Sequence, residues 1–254
     1  ESRPAMSKLY HIDLWLQLLF VNFYVLSGQF SISSPPLSLW FFSENRAILT
    51  AESNLEVLYM RTLFKGGTVI TGRGPKRADV LVEGEKVRQV GRLILTPADR
   101  TVDVEGCLLF PGFIDAHTHF DLDVCNTTTA DDFTTGSRAA LKGGTTTVID
   151  FACPNKGESL QYGLDLWHKK ADGRTFCDYG FHMTIDDWNE SIRAELPEMF
   201  RQGVSSFKMY MTSPAMMVGD RDMYWALKEL RHLGGICGVH CENAGVIDGM
   251  IAEK

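Results

Sequence analysis

Residues 111–119 read Pro111-Gly112-Phe113-Ile114-Asp115-Ala116-His117-Thr118-His119, an apolar strand that follows a Pro-Gly turn and ends in two histidines. Side chains alternate between the two faces of a strand, so Asp115, His117 and His119 share one face. Two neutral imidazoles on one face can bind the same metal ion, and zinc suits such nitrogen ligands. A His-x-His pair is also typical of an ordinary polar strand exit. Its position after an apolar strand favours the metal site.

The chain after this strand alternates strand patterns with helix patterns. The strand patterns cover residues 108–116, 145–151, 178–185, 205–212 and 236–242. The helix patterns cover residues 132–141, the face of Leu160, Leu164 and Trp167, residues 191–202 with an expected kink or new start at Pro197, and the face of Met223, Leu227, Leu230 and Leu233. This alternation predicts an α/β fold with parallel strands and right-handed crossovers. The chain length would suit a whole TIM-type (β/α)8 barrel, which typically takes roughly 250 residues, but residues 111–254 show only about five of its eight units before Lys254, so the barrel is expected to be incomplete here.

The residues before the barrel pattern divide into two parts. Short strand patterns punctuated by glycine predict a small antiparallel module of β-sandwich type over residues 60–110. Residues 1–59 are interpreted as a non-native or disordered extension upstream of Met60, where the working protein is expected to start. The alternative is a secretory signal that begins at Met6, because an apolar run covers residues 14–26. That run is too short to span a membrane, which takes about 20 apolar residues.

Composition and charge exclude several classes of protein. The 254 residues are 44% hydrophobic and 22% charged, which is typical of a globular chain and not of a disordered or collagen-like one. The formal net charge of −7, without a long Lys/Arg run, argues against a nucleic acid partner. The 6 cysteines form no Cys-x-x-Cys pair, which favours reduced thiols and a cytoplasmic protein.

Two further strand patterns carry candidate site residues. Lys208 lies in the apolar run Ser206-Phe207-Lys208-Met209-Tyr210, where a buried ammonium group is costly. Either its side chain reaches solvent, or it is a neutral amine that reacts with CO₂ to form a carbamate, an anion able to bridge two metals. His240 lies on the fifth strand and faces away from Cys237 and Cys241. His182, a lone histidine on the third strand, is interpreted as structural.

Several segments together resemble a known family. They are residues 111–119 as quoted above, Gly143-Gly144-Thr145-Thr146, Ile149-Asp150-Phe151-Ala152, Ser206-Phe207-Lys208-Met209 and Val239-His240-Cys241-Glu242-Asn243. In this order they resemble dihydropyrimidinase and D-hydantoinase, cyclic amidohydrolases of the metal-dependent amidohydrolase superfamily. The resemblance runs from about Leu63 to Lys254.

The resemblance implies a binuclear zinc site and a ring-opening reaction. His117 and His119 would hold one zinc ion, His240 the other, and Lys208, carboxylated by CO₂, would bridge them. A bridging hydroxide would attack the ring amide of a dihydropyrimidine or hydantoin and give an N-carbamoyl amino acid. The family also suggests a homotetramer with a small cyclic amide or ureide as substrate, in pyrimidine catabolism, and neither nucleic acid nor membrane as partner.

Two departures from the family pattern limit this expectation. Ser213 stands five residues after Lys208, where the family has an oxyanion-stabilising tyrosine, and Tyr210 is out of register with that position. The family's remaining metal histidine and catalytic aspartate come from later strands, so the 254 residues by themselves are expected to be inactive.

Three other functions stay open at this point. Allantoinase and dihydroorotase share the His-x-His pair, the lysine and the later histidine, and the serine at position 213 weakens the hydantoinase assignment. Non-catalytic dihydropyrimidinase-related scaffold proteins resemble the enzymes but have lost metal ligands. The presence of His117, His119, Lys208 and His240 argues against a scaffold.

Overall fold

The computed structural model describes residues 60–124 and 126–254, and the backbone of a short strand at Tyr24–Ser27. The chain divides into two compact units, which meet in the sequence between Phe113 and Ile114. Apart from that short strand, the predicted extension over residues 1–59 lies outside the described residues.

The first unit contains one six-stranded sheet. Its strands are β1 (Tyr24–Ser27), β2 (Arg61–Thr71), β3 (Gly74–Glu83), β4 (Lys86–Gly91), β5 (Arg100–Asp103) and β6 (Cys107–Phe110). The predicted antiparallel pairing is wrong for part of this sheet. β2, β3 and β4 form antiparallel hairpins, whereas β5 and β6 are parallel to β2. The reason is the connection over residues 92–99, which is too long for a hairpin and returns the chain to the end of the sheet where β2 begins.

The second unit alternates strands and helices, as the sequence predicts. Its elements are β7 (Phe113–Thr118), the small hairpin β8 (Asp123–Val124) and β9 (Thr127–Thr128), α1 (Phe133–Gly143), β10 (Thr145–Ala152), α2 (Leu160–Ala171), β11 (Asp178–Thr184), α3 (Glu190–Gln202), β12 (Ser206–Tyr210), α4 (Asp220–Leu233), β13 (Ile236–His240) and α5 (Ala244–Ala252). One five-stranded sheet has the order β13-β12-β11-β10-β7, and β10 to β13 pair in parallel. The predicted strand over residues 108–116 is in fact two strands, β6 and β7, which belong to different sheets.

Two helix predictions need correction. α3 continues through Pro197 without a new start. Proline removes one intrahelical hydrogen bond, but the fully buried Leu196 and Met199 on either side hold the helix against the core. In α4 the buried face is Met223, Ala226 and Leu230, and Leu227 lies outside it with 39% of its surface exposed.

The core of the second unit lies between the sheet and its helices. Val148, Met183, Phe207 and Met209 point from the strands into this core and are at most 2% exposed. Alternation then sends the intervening strand residues to the opposite face of the sheet, which carries the candidate site. Among the described residues, no helix is long and apolar enough to cross a membrane.

Candidate functional site

Strand register gathers most of the predicted site residues on the face of the sheet opposite the helices. Phe151 pairs with His182, Thr184 with Lys208, and Tyr210 with His240. Register partners in neighbouring strands point to the same side of a sheet. A polar face around Lys208 results, which we call the Lys208 face: residues 117, 119, 151, 182, 184, 208, 210 and 240.

The two histidines of the His-x-His pair lie together at the end of β7. Their ring centroids are 5.0 Å apart, and Phe151 contacts both rings, at 4.7 Å from His117 and 4.9 Å from His119. The backbone N–H of His117 donates to Oδ1 of Asp115 at 3.1 Å. The Asp115 carboxylate therefore bonds the backbone of its own strand.

His119 has the properties of a metal ligand. Its Nδ1 is buried and has no hydrogen-bond partner among the described residues. Burial lowers the pKa of His119, and the nearby His117 and Lys208 lower the pKa further. The neutral imidazole that results is the form that binds metal ions.

Lys208 lies in the middle of β12, between two aromatic rings. Its Nζ is 5.9 Å from the ring centroid of Phe151 and 5.3 Å from that of Tyr210. Within the described part of the chain, Nζ makes no ion pair with a carboxylate. Phe151 thus adjoins the two histidines on one side and Lys208 on the other.

The fourth predicted ligand, His240, has a competing partner. It is the last residue of β13, and its ring stacks on that of Tyr210 with centroids 5.8 Å apart. Its Nε2 lies 2.7 Å from Oε2 of Glu242, which the sequence reasoning did not single out. The alternation of the strand could have identified Glu242, because it follows His240 by two residues. This contact must open if Nε2 of His240 is to bind a metal.

His182 is held by protein groups at both ring nitrogens. Nε2 lies 2.9 Å from the carbonyl oxygen of Ala116, and Nδ1 lies 2.5 Å from Oγ of Ser206. The carbonyl can only accept, so Nε2 carries the proton and Nδ1 accepts from the serine hydroxyl. His182 therefore ties β7, β11 and β12 together.

Two further buried polar groups belong to this end of the sheet, and the sequence reasoning missed both. Oγ1 of Thr184 and Oδ1 of Asp186 have no hydrogen-bond partner among the described residues, although the two residues are only 0% and 6% exposed. Burial raises the pKa of Asp186 to about 7. Thr184 is the register partner of Lys208, and Asp186 follows two residues later. The period-two pattern of β11 could have placed both beside Lys208.

The loops that follow β10 and β12 meet beside this cluster. Nζ of Lys156 donates to the carbonyl oxygen of Pro214 at 2.9 Å, and β11 lies between the two strands from which these loops emerge. Ser213, at the position of the family's tyrosine, is exposed and has a φ of 69°. Its carbonyl oxygen accepts from the backbone N–H groups of Met216 and Met217, at 2.8 Å each.

The described residues contain no group of three or more His, Cys, Asp or Glu side chains that could hold a metal ion. Lys208 lies on the same face as His117 and His119 and is not among the residue types of such a group. Cys237 packs against the core, and Cys241 is exposed. Neither thiol belongs to the Lys208 face.

Known proteins resemble this chain closely. D-hydantoinase of Geobacillus stearothermophilus is 40% identical over 191 residues, which cover 74% of this chain and 41% of that protein. Dihydropyrimidinase of Rattus norvegicus is 40% identical over 194 residues, 74% of this chain and 37% of that protein. The crystal structure of dihydropyrimidinase from Brevibacillus agri NCHU1002 matches with a TM-score of 0.74 at 37% identity, over 76% of this chain and 42% of that one.

These similarities confirm the predicted resemblance and the α/β barrel-type fold. The chain spans about two fifths of the length of the curated relatives it matches. The amidohydrolase family model matches residues 108–252, which include β7, β13 and every strand between them. The chain belongs to the amidohydrolase family.

Proposed function

We propose that the protein is a cyclic amide hydrolase of the dihydropyrimidinase or D-hydantoinase type. The reaction would open a dihydropyrimidine or hydantoin ring and give an N-carbamoyl amino acid. One observation supports it above the others: three buried polar atoms without protein partners, on His119, Thr184 and Asp186, lie at the same end of the sheet as Lys208. Buried polar atoms are normally hydrogen-bonded, so their grouping favours a polar ligand at this end.

Enzymes of the amidohydrolase superfamily are metal-dependent, and the side chains present fit two zinc ions in part. His119 offers a neutral ring with a free buried nitrogen, and the ring of His117 is 5.0 Å away. Lys208, as a carbamate, and His240, once released from Glu242, would complete the ligands of this chain. Bound metal ions would activate a water molecule and polarise the substrate carbonyl.

Lys208 is suited to carboxylation by its surroundings. Its neutral amine attacks CO₂, a C–N bond forms, and one proton passes to solvent, which leaves an anionic carbamate. Among the described residues, no carboxylate forms an ion pair with Nζ of Lys208, so the nitrogen is not engaged by an anion. Phe151 and Tyr210 flank the group and keep its surroundings partly apolar.

Thr184 and Asp186 are proposed to contact the substrate ring. A cyclic amide or ureide presents N–H donors beside C=O acceptors. The Thr184 hydroxyl can donate to such a carbonyl, and the carboxyl group of Asp186 can accept from such an N–H. This pairing would satisfy the two side-chain atoms that lack protein partners.

The substrate class can be tested by turnover of four compounds. Protein that contains this chain is offered dihydrouracil, hydantoin, allantoin and dihydroorotate, and ring opening is followed by the loss of ultraviolet absorbance. We expect dihydrouracil or hydantoin to be preferred by at least tenfold in kcat/KM. Preference for allantoin or dihydroorotate would assign the protein to one of those enzyme types instead.

Metal content separates an enzyme from a scaffold protein. We expect bound zinc in the folded protein and its loss in a His117→Ala, His119→Ala double variant. A folded protein without zinc and without turnover would be a non-catalytic relative. The isolated 254 residues are expected to be inactive, and a homotetramer is expected for the whole protein.

A further inference from the structure

Asp150 is a fully buried carboxylate that accepts four hydrogen bonds. It is 0% exposed and lies on β10, on the helix-facing side of the sheet. Oδ2 accepts from the Thr118 hydroxyl at 2.8 Å and from the backbone N–H of Phe120 at 2.9 Å. Oδ1 accepts from Nε1 of Trp167 and from the backbone N–H of Phe151, at 2.9 Å each.

Both partners of Oδ2 are immediate neighbours of His119. Thr118 precedes it and Phe120 follows it. Because side chains alternate, Thr118 turns toward the helices and meets Asp150, while His117 points to the Lys208 face and contacts Phe151. One carboxylate oxygen thus holds the chain on both sides of His119. β7 ends at Thr118, so His119 and Phe120 lie outside the regular strand.

We propose that Asp150 is a positioning residue that fixes His119 for metal binding. The two hydrogen bonds that its Oδ2 accepts from Thr118 and Phe120, which we call the grip, hold the chain on both sides of His119. Oδ1 anchors this grip to α2 through Trp167, so that the histidine pair is held by the core and not by a free loop. The effect of Asp150 on metal affinity rests on the proposed function. Its effect on the order of the backbone around His119 is independent of the proposed function.

The partners of Asp150 show which property of the side chain matters. All four are donors, so the group must accept at both oxygens, as an ionised carboxylate does. Burial raises the pKa of Asp150, while the hydrogen bonds from Phe120, Thr118 and Trp167 oppose that rise. In Asp150→Asn, an NH₂ group would replace one oxygen and face two N–H or O–H donors. Either the grip on Thr118 and Phe120 or the anchor on Trp167 would be lost.

A merely structural role for Asp150 predicts a different result from a positioning role, and four variants separate the two. Asp150→Asn disturbs the grip, and Thr118→Val removes one of its hydrogen bonds with little change of shape. Trp167→Phe removes the anchor and also reduces the buried ring that Nζ of Lys170 contacts at 4.3 Å. Asp79→Asn is the matched control, because Asp79 is 4% exposed and accepts from the backbone N–H groups of Gly66 at 2.9 Å and Ile94 at 3.3 Å, in the other unit.

The test measures Co²⁺ affinity from the visible absorption spectrum, hydrogen exchange of the Phe120 amide, and unfolding in urea. We expect Asp150→Asn to weaken Co²⁺ binding by about 10- to 100-fold, as losses of groups that orient metal ligands do. Thr118→Val and Trp167→Phe should each weaken it several-fold, and Asp79→Asn less than twofold. If Asp150→Asn does not fold, the comparison of Thr118→Val with Asp79→Asn decides the matter.

Hydrogen exchange separates this proposal from the proposed function. If wild-type protein that contains this chain binds no Co²⁺, the proposed function fails, but the Phe120 amide should still exchange at least tenfold faster in Thr118→Val than in wild type. The Asp79→Asn variant should leave that amide unchanged relative to global unfolding. Unchanged Phe120 exchange and unchanged Co²⁺ affinity in both Thr118→Val and Asp150→Asn would overturn the positioning role.

Discussion

At the scale of single residues, the candidate site is a set of polar groups without protein partners. Ser137 shows the usual alternative: it is 0% exposed, its hydroxyl donates to the carbonyl oxygen of Phe133, and its Oγ accepts from the Phe176 N–H at 3.0 Å. Thr184 is equally buried, and its Oγ1 has no partner within hydrogen-bond geometry among the described residues, although the hydroxyl is close enough to Asp186 to lower the pKa of that carboxyl. An unsatisfied buried hydroxyl lowers the stability of the folded state, so its presence is best explained by a ligand.

The stability of two hydroxyl-deleting variants tests this difference. Thr184→Val removes an unpaired hydroxyl at nearly constant shape, and we expect the free energy of unfolding to rise by about 1 kcal/mol. Ser137→Ala leaves the Phe176 N–H unpaired and should lower it by about 1–3 kcal/mol. Urea unfolding at neutral pH measures both changes. A loss of stability in Thr184→Val equal to that in Ser137→Ala would show that Thr184 is bonded within the protein.

Asp186 should make stability depend on pH in the direction opposite to an ordinary surface aspartate. Its pKa is about 7 in the folded protein because of burial, against about 4 in the unfolded chain. Between these values the folded state binds the extra proton, so this contribution to stability falls as pH rises from about 4 to about 7 and is constant above that. Asp186 therefore raises the urea midpoint at pH 5 relative to that at pH 8, and we expect Asp186→Asn to remove this contribution. The same difference between the two midpoints in wild type and in Asp186→Asn would contradict the raised pKa of Asp186.

At the scale of elements, a glycine of α1 allows this helix to pack closely against the segment that follows β7. A Cβ on Gly136 of α1 would overlap Cε1 of Phe120 and lie 2.6 Å from its Cδ1. The ring of Phe120 cannot easily move aside, because it packs edge-on against Phe133 at 5.5 Å. α1 therefore packs directly against Phe120, the residue that follows His119.

Two glycine variants in the same helix test this contact. We expect Gly136→Ala to lower the free energy of unfolding by about 1–3 kcal/mol through overpacking. Gly143→Ala is the control: its Cβ would meet nothing within 4 Å, and the change should be neutral or stabilising by up to about 1 kcal/mol. Thermal unfolding gives both values, and equal effects of the two variants would contradict the predicted role of the close approach.

Sequence patterns identify the main strands and the first four helices of the second unit, but not the β8–β9 hairpin, α5 or the tertiary contacts. The strands and helices follow from apolar periodicity and from glycines such as Gly144, which ends α1 with a φ of 103°. Periodicity could not show that the buried Leu196 and Met199 hold α3 against the core on either side of Pro197. The resemblance to the family placed Asp150 in a motif, but the sequence did not indicate what this residue does. Its role depends on hydrogen bonds to residues up to 32 positions away along the chain.

At the scale of the whole molecule, sheet order decides how the predicted ligands can meet. β7 and β13 lie at opposite ends of the five-stranded order. Four strand spacings separate them, about 19 Å across a flat sheet, so His117 and His240 can share a binuclear site only if the sheet curves. The TM-score of 0.74 to a dihydropyrimidinase structure supports such curvature. The assignment of His117 and His119 as ligands of one metal ion thus depends only on their own strand. The assignment of His240 as a ligand of the same site depends on the curvature of the whole sheet.

The central claim is that Lys208 carries a carbamate that holds metal beside His117 and His119. Native mass spectrometry of the folded protein, at neutral pH and after acidification, tests it most directly. We predict a species heavier than the bare chain by one CO₂ and by bound zinc, with both additions lost in acid and both absent in Lys208→Arg. A folded protein at neutral pH with neither CO₂ nor zinc, or a Lys208→Arg variant that keeps both, would contradict it.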